Sequence, residues 1–172
     1  MRSLRFSALV GGVVACLREL ETMTAELYRS YAARLEKSSG EAAAAALRII
    51  SFESEAHAEI LAVVARLLDS EGEARDCSRI LGEPWSAVER LLSDARRGSY
   101  LELSELIERA SWFEDAVGEE TYARLAVTLI GQLSGPSGGE RSELTLRILE
   151  KIARDEEWHE ELLRWAAASA RP

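Results

Sequence analysis

Arg154-Asp155-Glu156-Glu157-Trp158-His159 lies late in the chain, and its reading decides the fold. Taken as helix, an apolar seam passes through it at Leu149, Ile152, Glu156, His159, Leu163 and Ala166, in steps of three and four. Such a stripe is what a helix turns toward its neighbours in a bundle. Two of its central places hold a carboxylate and an imidazole. Burying a lone carboxylate is costly, and a neutral imidazole offsets little of that cost. Either this face opens to water, or something cationic sits opposite it. Glu-x-x-His on a helix puts both groups on one face, able to grip one metal ion between them.

With 172 residues the chain has the length of one domain, residues 1–172, with a sizeable core. Hydrophobic residues make up 47% and charged residues 30%, an ordinary balance for a water-exposed globular protein. A net charge of −9 argues against nucleic acid or an anionic membrane surface as the main partner. The two cysteines, Cys16 and Cys77, form no Cys-x-x-Cys pair, which excludes a thiolate zinc knuckle or a rubredoxin-type iron centre. They read as two buried thiols in a reducing cytoplasm, with a bridge between them as the alternative.

Arg2 and Arg5 precede an apolar run from Phe6 to Leu17, and Val13-Val14-Ala15-Cys16 loosely matches a lipoprotein cleavage box, which would make residues 1–15 a signal peptide. Against that, Val10, Val14 and Leu17 continue unbroken into a helical seam that reaches Leu35. The run is read as the start of a first helix. No run is long enough to span a membrane.

The pattern predicts an all-α chain of four long helices. The first covers about residues 8–36, with a seam of Val10, Val14, Leu17, Glu21, Thr24, Tyr28, Tyr31 and Leu35. Ser38-Ser39-Gly40 ends it. The second, about 41–69, buries Ala46, Leu47, Ile50, His57, Ile60, Leu61, Val64 and Leu68, with Glu53 and Ser54 in the middle of that face. Residues 70–98 form a long connection, in which Pro84 and the capping signal Ser86-x-x-Glu89 open a short amphipathic helix. A connection of this length fits a crossover, so the second and third helices need not be antiparallel neighbours. Ser99-x-x-Glu102 opens the third helix, about 100–132, whose stripe is Leu103, Ile107, Ala110, Glu114, Val117, Thr121, Leu125 and Leu129. Asp115 stands one place off it. Ser134-Gly135-Pro136-Ser137-Gly138-Gly139 breaks the pattern as a loop before the fourth helix, about 141–170. Trp85, Trp112, Trp158 and Trp165 read as packing residues.

The two halves repeat. Glu21 on a first helix is followed by His57 on a second, and Glu114 on a third by His159 on a fourth. One Glu from each of two helices, with a Glu/His pair from each of the other two, is the ligand supply of a dinuclear carboxylate site in a four-helix bundle. The candidate ligands are Glu21, Glu53, His57, Glu114, Glu156 and His159. Four carboxylates with two neutral imidazoles cancel the charge of two divalent cations. No catalytic residue is expected beyond these ligands. Read without a metal, the same residues are solvated charges and hydrogen-bonded core histidines.

Through these residues the chain resembles the ferritin-like superfamily, and within it the rubrerythrin-like branch. Glu21 followed by Tyr28 resembles the family's first-helix Glu with a Tyr two turns later, and Glu156-x-x-His159 matches its last-helix motif. Where the family has Glu three residues before the second-helix His, this chain has Ser54; Glu53, on the same face, is the substitute. Counting back seven from Tyr122 points to Asp115 rather than Glu114 as the third-helix ligand, whereas the stripe points to Glu114. The resemblance implies a ferritin-like four-helix bundle holding two iron ions, or iron with manganese. It also implies an oxidoreductase acting on peroxide or dioxygen in the cytoplasm, as a homodimer, with electrons from a separate donor protein. An iron-binding or storage bundle without turnover, or an interaction module with a partly lost site, are the alternatives.

Overall fold

The computed structural model describes residues 2–38, 40–70, 72–117, 122, 125 and 140–169. The described residues are all-α, as the periodicities predict. In chain order the helices are α1 (Arg2–Leu35), α2 (Glu41–Leu67), α3 (Cys77–Leu81), α4 (Glu83–Arg96), α5 (Leu103–Asp115) and α6 (Glu140–Ser169), with a 3-10 turn at Glu36–Ser38. The expected Ser134–Gly139 loop lies outside the described residues, as do Thr121 and Leu129.

α1 and α2 form an antiparallel pair, tied by Arg48 to Glu36 near the turn and by Ser51 Oγ donating to the Ala25 carbonyl at 2.8 Å further along. α6 packs against both α2 and α5. Most positions of the expected seams are buried, while Leu35, Ile60, Leu68 and Leu103 are only partly covered. Val10, Val14, Leu17, Thr24, Tyr28 and Tyr31 on α1 face Leu47, Ile50, Leu61 and Val64 on α2, with Leu149, Ile152, Leu163 and Ala166 of α6 in the same core. Three of the four tryptophans do not join it: Trp112, Trp158 and Trp165 are about half exposed, each standing off its helix's seam. Trp158, one residue before His159, points about 100° away around the helix.

The crossover runs back along α1. Cys77 meets Cys16 at one end, Arg96 pairs with Glu26 in the middle, and beyond α4 Tyr31 Oη accepts from the Leu101 amide at 2.9 Å. Tyr100 stacks edge-on to Tyr31 at 5.0 Å, with the Arg34 guanidinium 4.8 Å from its ring centre. α5 therefore starts beside the C-terminal end of α1 and runs opposite to it, parallel to α2. That arrangement brings Glu114 to the level of Glu21.

Local punctuation differs from expectation at two places. The connection carries two helices rather than one, because Gly82, at φ 66°, turns the chain directly from α3 into α4 with Pro84 in the first turn. Neither capping signal forms. α4 begins ahead of Ser86, and Ser99 closes α4 through its amide to the Asp94 carbonyl at 2.9 Å, so α5 starts after Glu102.

The cysteines are a clear correction. Cys16 and Cys77 are joined in a disulfide, with Cα atoms 5.3 Å apart, rather than held as two thiols. The crossover lays the start of α3 on α1, a proximity that spacing in sequence does not reveal. Disulfides persist in oxidising surroundings, so the cytoplasmic expectation loses the reduced thiols it rested on. Among the described residues no helix is long and apolar enough to cross a membrane. Close by, the backbones of Gly11 and Gly72 touch: a Cβ on Gly72 would lie 2.3 Å from the Gly11 carbonyl carbon.

The bridge closes a chain separation of 61 residues. Replacing both cysteines with Ser should lower unfolding stability by about 2–4 kcal/mol, through the freedom returned to the unfolded chain. Urea denaturation of the two proteins checks this, and equal midpoints would rule out a stabilising bridge.

Candidate metal centre

Glu21, His57, Glu114, Glu156 and His159 converge from α1, α2, α5 and α6, and all are buried. They form two triads that share one member. Glu21, His57 and Glu156 each offer a donor atom within 4.8 Å of the others, and so do Glu114, Glu156 and His159. Glu156 sits between the imidazoles. Its Oε1 lies 3.2 Å from His57 Nδ1 and its Oε2 lies 3.4 Å from His159 Nδ1. Glu21 stands 3.6 Å from His57 Nδ1, and Glu114 stands 3.5 Å from His159 Nδ1.

The sixth candidate takes a different place. Glu53 lies behind His159, its Oε2 3.0 Å from the outer ring nitrogen Nε2, with the side chain 39% exposed. It faces the histidine of the opposite half rather than pairing with His57. Asp155 does the same for His57, at 3.0 Å from its Nε2. The two acids are equivalent, each four residues before the histidine of its own helix. Carboxylates behind the imidazoles hold a ring proton on Nε2 and turn Nδ1 inward, to bind either a second proton or a metal. Asp155 was missed in the sequence, although its spacing to His159 repeats that of Glu53 to His57.

Two tyrosines brace the outer carboxylates. Tyr28 Oη donates to Glu114, and Tyr122 Oη donates to Glu21, both fully buried. Tyr28 thus makes a hydrogen bond to a cluster carboxylate instead of only filling the core. The choice between Glu114 and Asp115 falls to Glu114, which is wholly buried while Asp115 is exposed. The conflicting count from Tyr122 has a structural cause. Ala116, Val117 and Tyr122 are π-helical, and a π turn absorbs the one residue by which Glu114 to Tyr122 exceeds two α turns.

The donor atoms are ones that a cation would satisfy. His57 Nδ1, His159 Nδ1, Glu114 Oε2 and Glu156 Oε1 are buried without a well-formed hydrogen bond, a set that either shared protons or a cation must complete in a native interior. Imidazole nitrogen with carboxylate oxygen, and no thiolate, suits first-row divalent ions such as iron, manganese or zinc.

Electrostatics place protons where a metal would compete. Burial opposes a charge on His57, yet the carboxylates of Glu156 and Glu21 outweigh it and push its pKa up to about 10. For His159, burial is likewise overcome by Glu114 and Glu156, giving about 11. Burial raises Glu114 to about 8, with Glu156 adding to the rise and His159 opposing it. Burial and the Glu21 charge work against Glu156, but its contacts with Glu114 and both histidines hold it below the usual carboxylate value. Burial, then the Glu114 charge, drives the Tyr28 phenol upward; burial, then Glu21, does the same for Tyr122.

Compared with protein-family models, curated proteins and solved structures, the chain matches none of them.

In metal-free protein both imidazoles bind protons more tightly folded than unfolded. The stability they contribute is complete below the ordinary histidine value of 6.5 and is lost as pH rises toward about 10 and about 11. Urea unfolding of metal-free protein should therefore show falling stability across that interval, with the slope reduced in His57→Gln. A flat profile would contradict the assignment. Loading with a divalent ion at neutral pH should release protons, which a pH indicator in weak buffer would detect.

Proposed function

We propose that this chain is a ferritin-like dinuclear metal protein, holding iron or iron with manganese, that acts on peroxide or dioxygen as an oxidoreductase. One observation carries the reading: Glu156 presents one oxygen to each inward-facing imidazole, 3.2 Å from His57 and 3.4 Å from His159. A carboxylate so placed would offer one oxygen to each of two ions. When bound, the metal pair would supply the electrons that reduce peroxide or dioxygen.

The protein's own part is to hold and to position. Glu21 with His57 would complete one ion's set, and Glu114 with His159 the other's. Tyr122 and Tyr28 keep those outer carboxylates from swinging, each phenol donating a hydrogen bond to its carboxylate partner. Asp155 and Glu53 fix the imidazole tautomers. Burial of the whole cluster excludes bulk water and strengthens each charge interaction. Both cysteines being engaged with each other, the chain has no thiolate electron relay of its own, and a separate donor protein would supply reducing equivalents.

A second reading has support in Ser54, which stands where a further carboxylate would complete the symmetry. With that donor missing, the cluster would hold one metal, as a binding rather than a redox site. Stoichiometry separates the two. Elemental analysis of protein expressed with added iron and manganese should give two ions per chain, falling to one in Glu21→Ala and lower still in Glu156→Gln. One ion in the unsubstituted protein would support the binding reading, and none would exclude both.

A further inference from the structure

The halves of the cluster correspond residue by residue with a single exception. Glu21 answers Glu114, Tyr28 answers Tyr122, Glu53 answers Asp155, and His57 answers His159. Three residues before His159 stands the shared Glu156. Three before His57 stands Ser54, on the same face of α2.

Ser54 is wholly buried, and its Oγ has no hydrogen-bond partner. The neighbouring Ser51 is different, since its hydroxyl finds the Ala25 carbonyl at 2.8 Å. A second orphan sits on the stretch of α1 that packs along this part of α2. Thr24 lies between Glu21 and Ala25, in the span of α1 that meets Ser51 to His57, and its buried Oγ1 is unpartnered too. Two hydroxyls that donate to nothing, one turn from Glu21 and His57, are suited to an anion arriving from outside.

Charge points the same way. Two divalent ions would bring four positive charges, against three negative ones from Glu21, Glu114 and Glu156 in direct reach of them; Glu53 and Asp155 add theirs only from behind the imidazoles, so the inner ring is one carboxylate short of the ions' charge. Serine ends at Oγ, whereas glutamate carries its carboxylate one carbon further. Against its counterpart Glu156, Ser54 thus offers the inner ring a hydroxyl where a carboxylate would reach further in.

We propose that Ser54 makes a binding site for a small free monoanion of carboxylate type, which takes the position facing Glu156 and accepts a hydrogen bond from the Ser54 hydroxyl. Thr24 is the second donor. The proposal rests on the dinuclear reading above and adds an exchangeable ligand to it.

The test uses the full chain loaded with cobalt(II), whose visible absorption reports its ligands, titrated with formate. The unsubstituted protein should show a saturable spectral change. Ser54→Ala should bind cobalt equally but formate roughly tenfold more weakly, for one lost hydrogen bond to a charged group. Ser54→Glu should keep its cobalt and lose the formate response, because its own carboxylate occupies the place. A cobalt-loaded protein blind to formate, a Ser54→Ala protein binding formate as tightly as the unsubstituted one, or a Ser54→Glu protein that still responds would each overturn the proposal. Failure to take up cobalt at all would overturn the metal centre itself.

Discussion

A carboxylate held between two imidazoles, out of reach of water, is the constraint around which this molecule is built. Glu156 cannot be there cheaply, since removing its charge from water costs several kcal/mol unless opposite charge or hydrogen bonds replace the solvent. Protons on His57 and His159 supply that charge in metal-free protein, and divalent ions would supply it in loaded protein. The two states compete for the same Nδ1 lone pairs. The polar groups set around the cluster follow from that competition. Asp155 and Glu53 decide which ring nitrogen faces inward, and Tyr28 and Tyr122 decide where the outer carboxylates stop.

The fold makes the convergence possible through its connectivity. An ordinary hairpin after α2 would run the next helix antiparallel to it. The crossover instead travels the length of α1, fastened by the 16–77 disulfide, by Arg96 on Glu26 and by Tyr100 against Tyr31 and Arg34. Only then does α5 begin, so that it descends past α1 with Glu114 near Tyr28 and Tyr122 near Glu21. The close pass of Gly11 against Gly72 belongs to the same fastening, because no side chain fits between those backbones.

Much of this was legible because helix seams are periodic. Glu21, Glu114, Glu156 and His159 each interrupt an otherwise apolar stripe, and the stripes alone place them inside. Ligand-bearing faces are therefore readable. Distances between elements are not, which is why Cys16 and Cys77 read as separate thiols. Asp155 was also hidden, since it lies at a seam's edge, where acidic residues are common and solvated; Glu53 was read as a ligand beside His57, and it stands instead behind His159. The spacing of Asp155 to His159, which repeats that of Glu53 to His57, was the available signal. The π-helical residues after Asp115 were the remaining obstacle: a count that assumes regular α turns gives Asp115, and only the observed backbone reconciles Tyr122 with Glu114.

Anomalous scattering from crystals soaked in manganese(II) tests the central claim most directly, because it locates ions without assuming their ligands. The account predicts two peaks flanking the Glu156 carboxylate, one beside His57 Nδ1 and one beside His159 Nδ1. Crystals in which the cluster stays free of anomalous signal at saturating manganese, with both imidazoles still engaged by Glu156, would show the interior to be a proton-bridged network and contradict it.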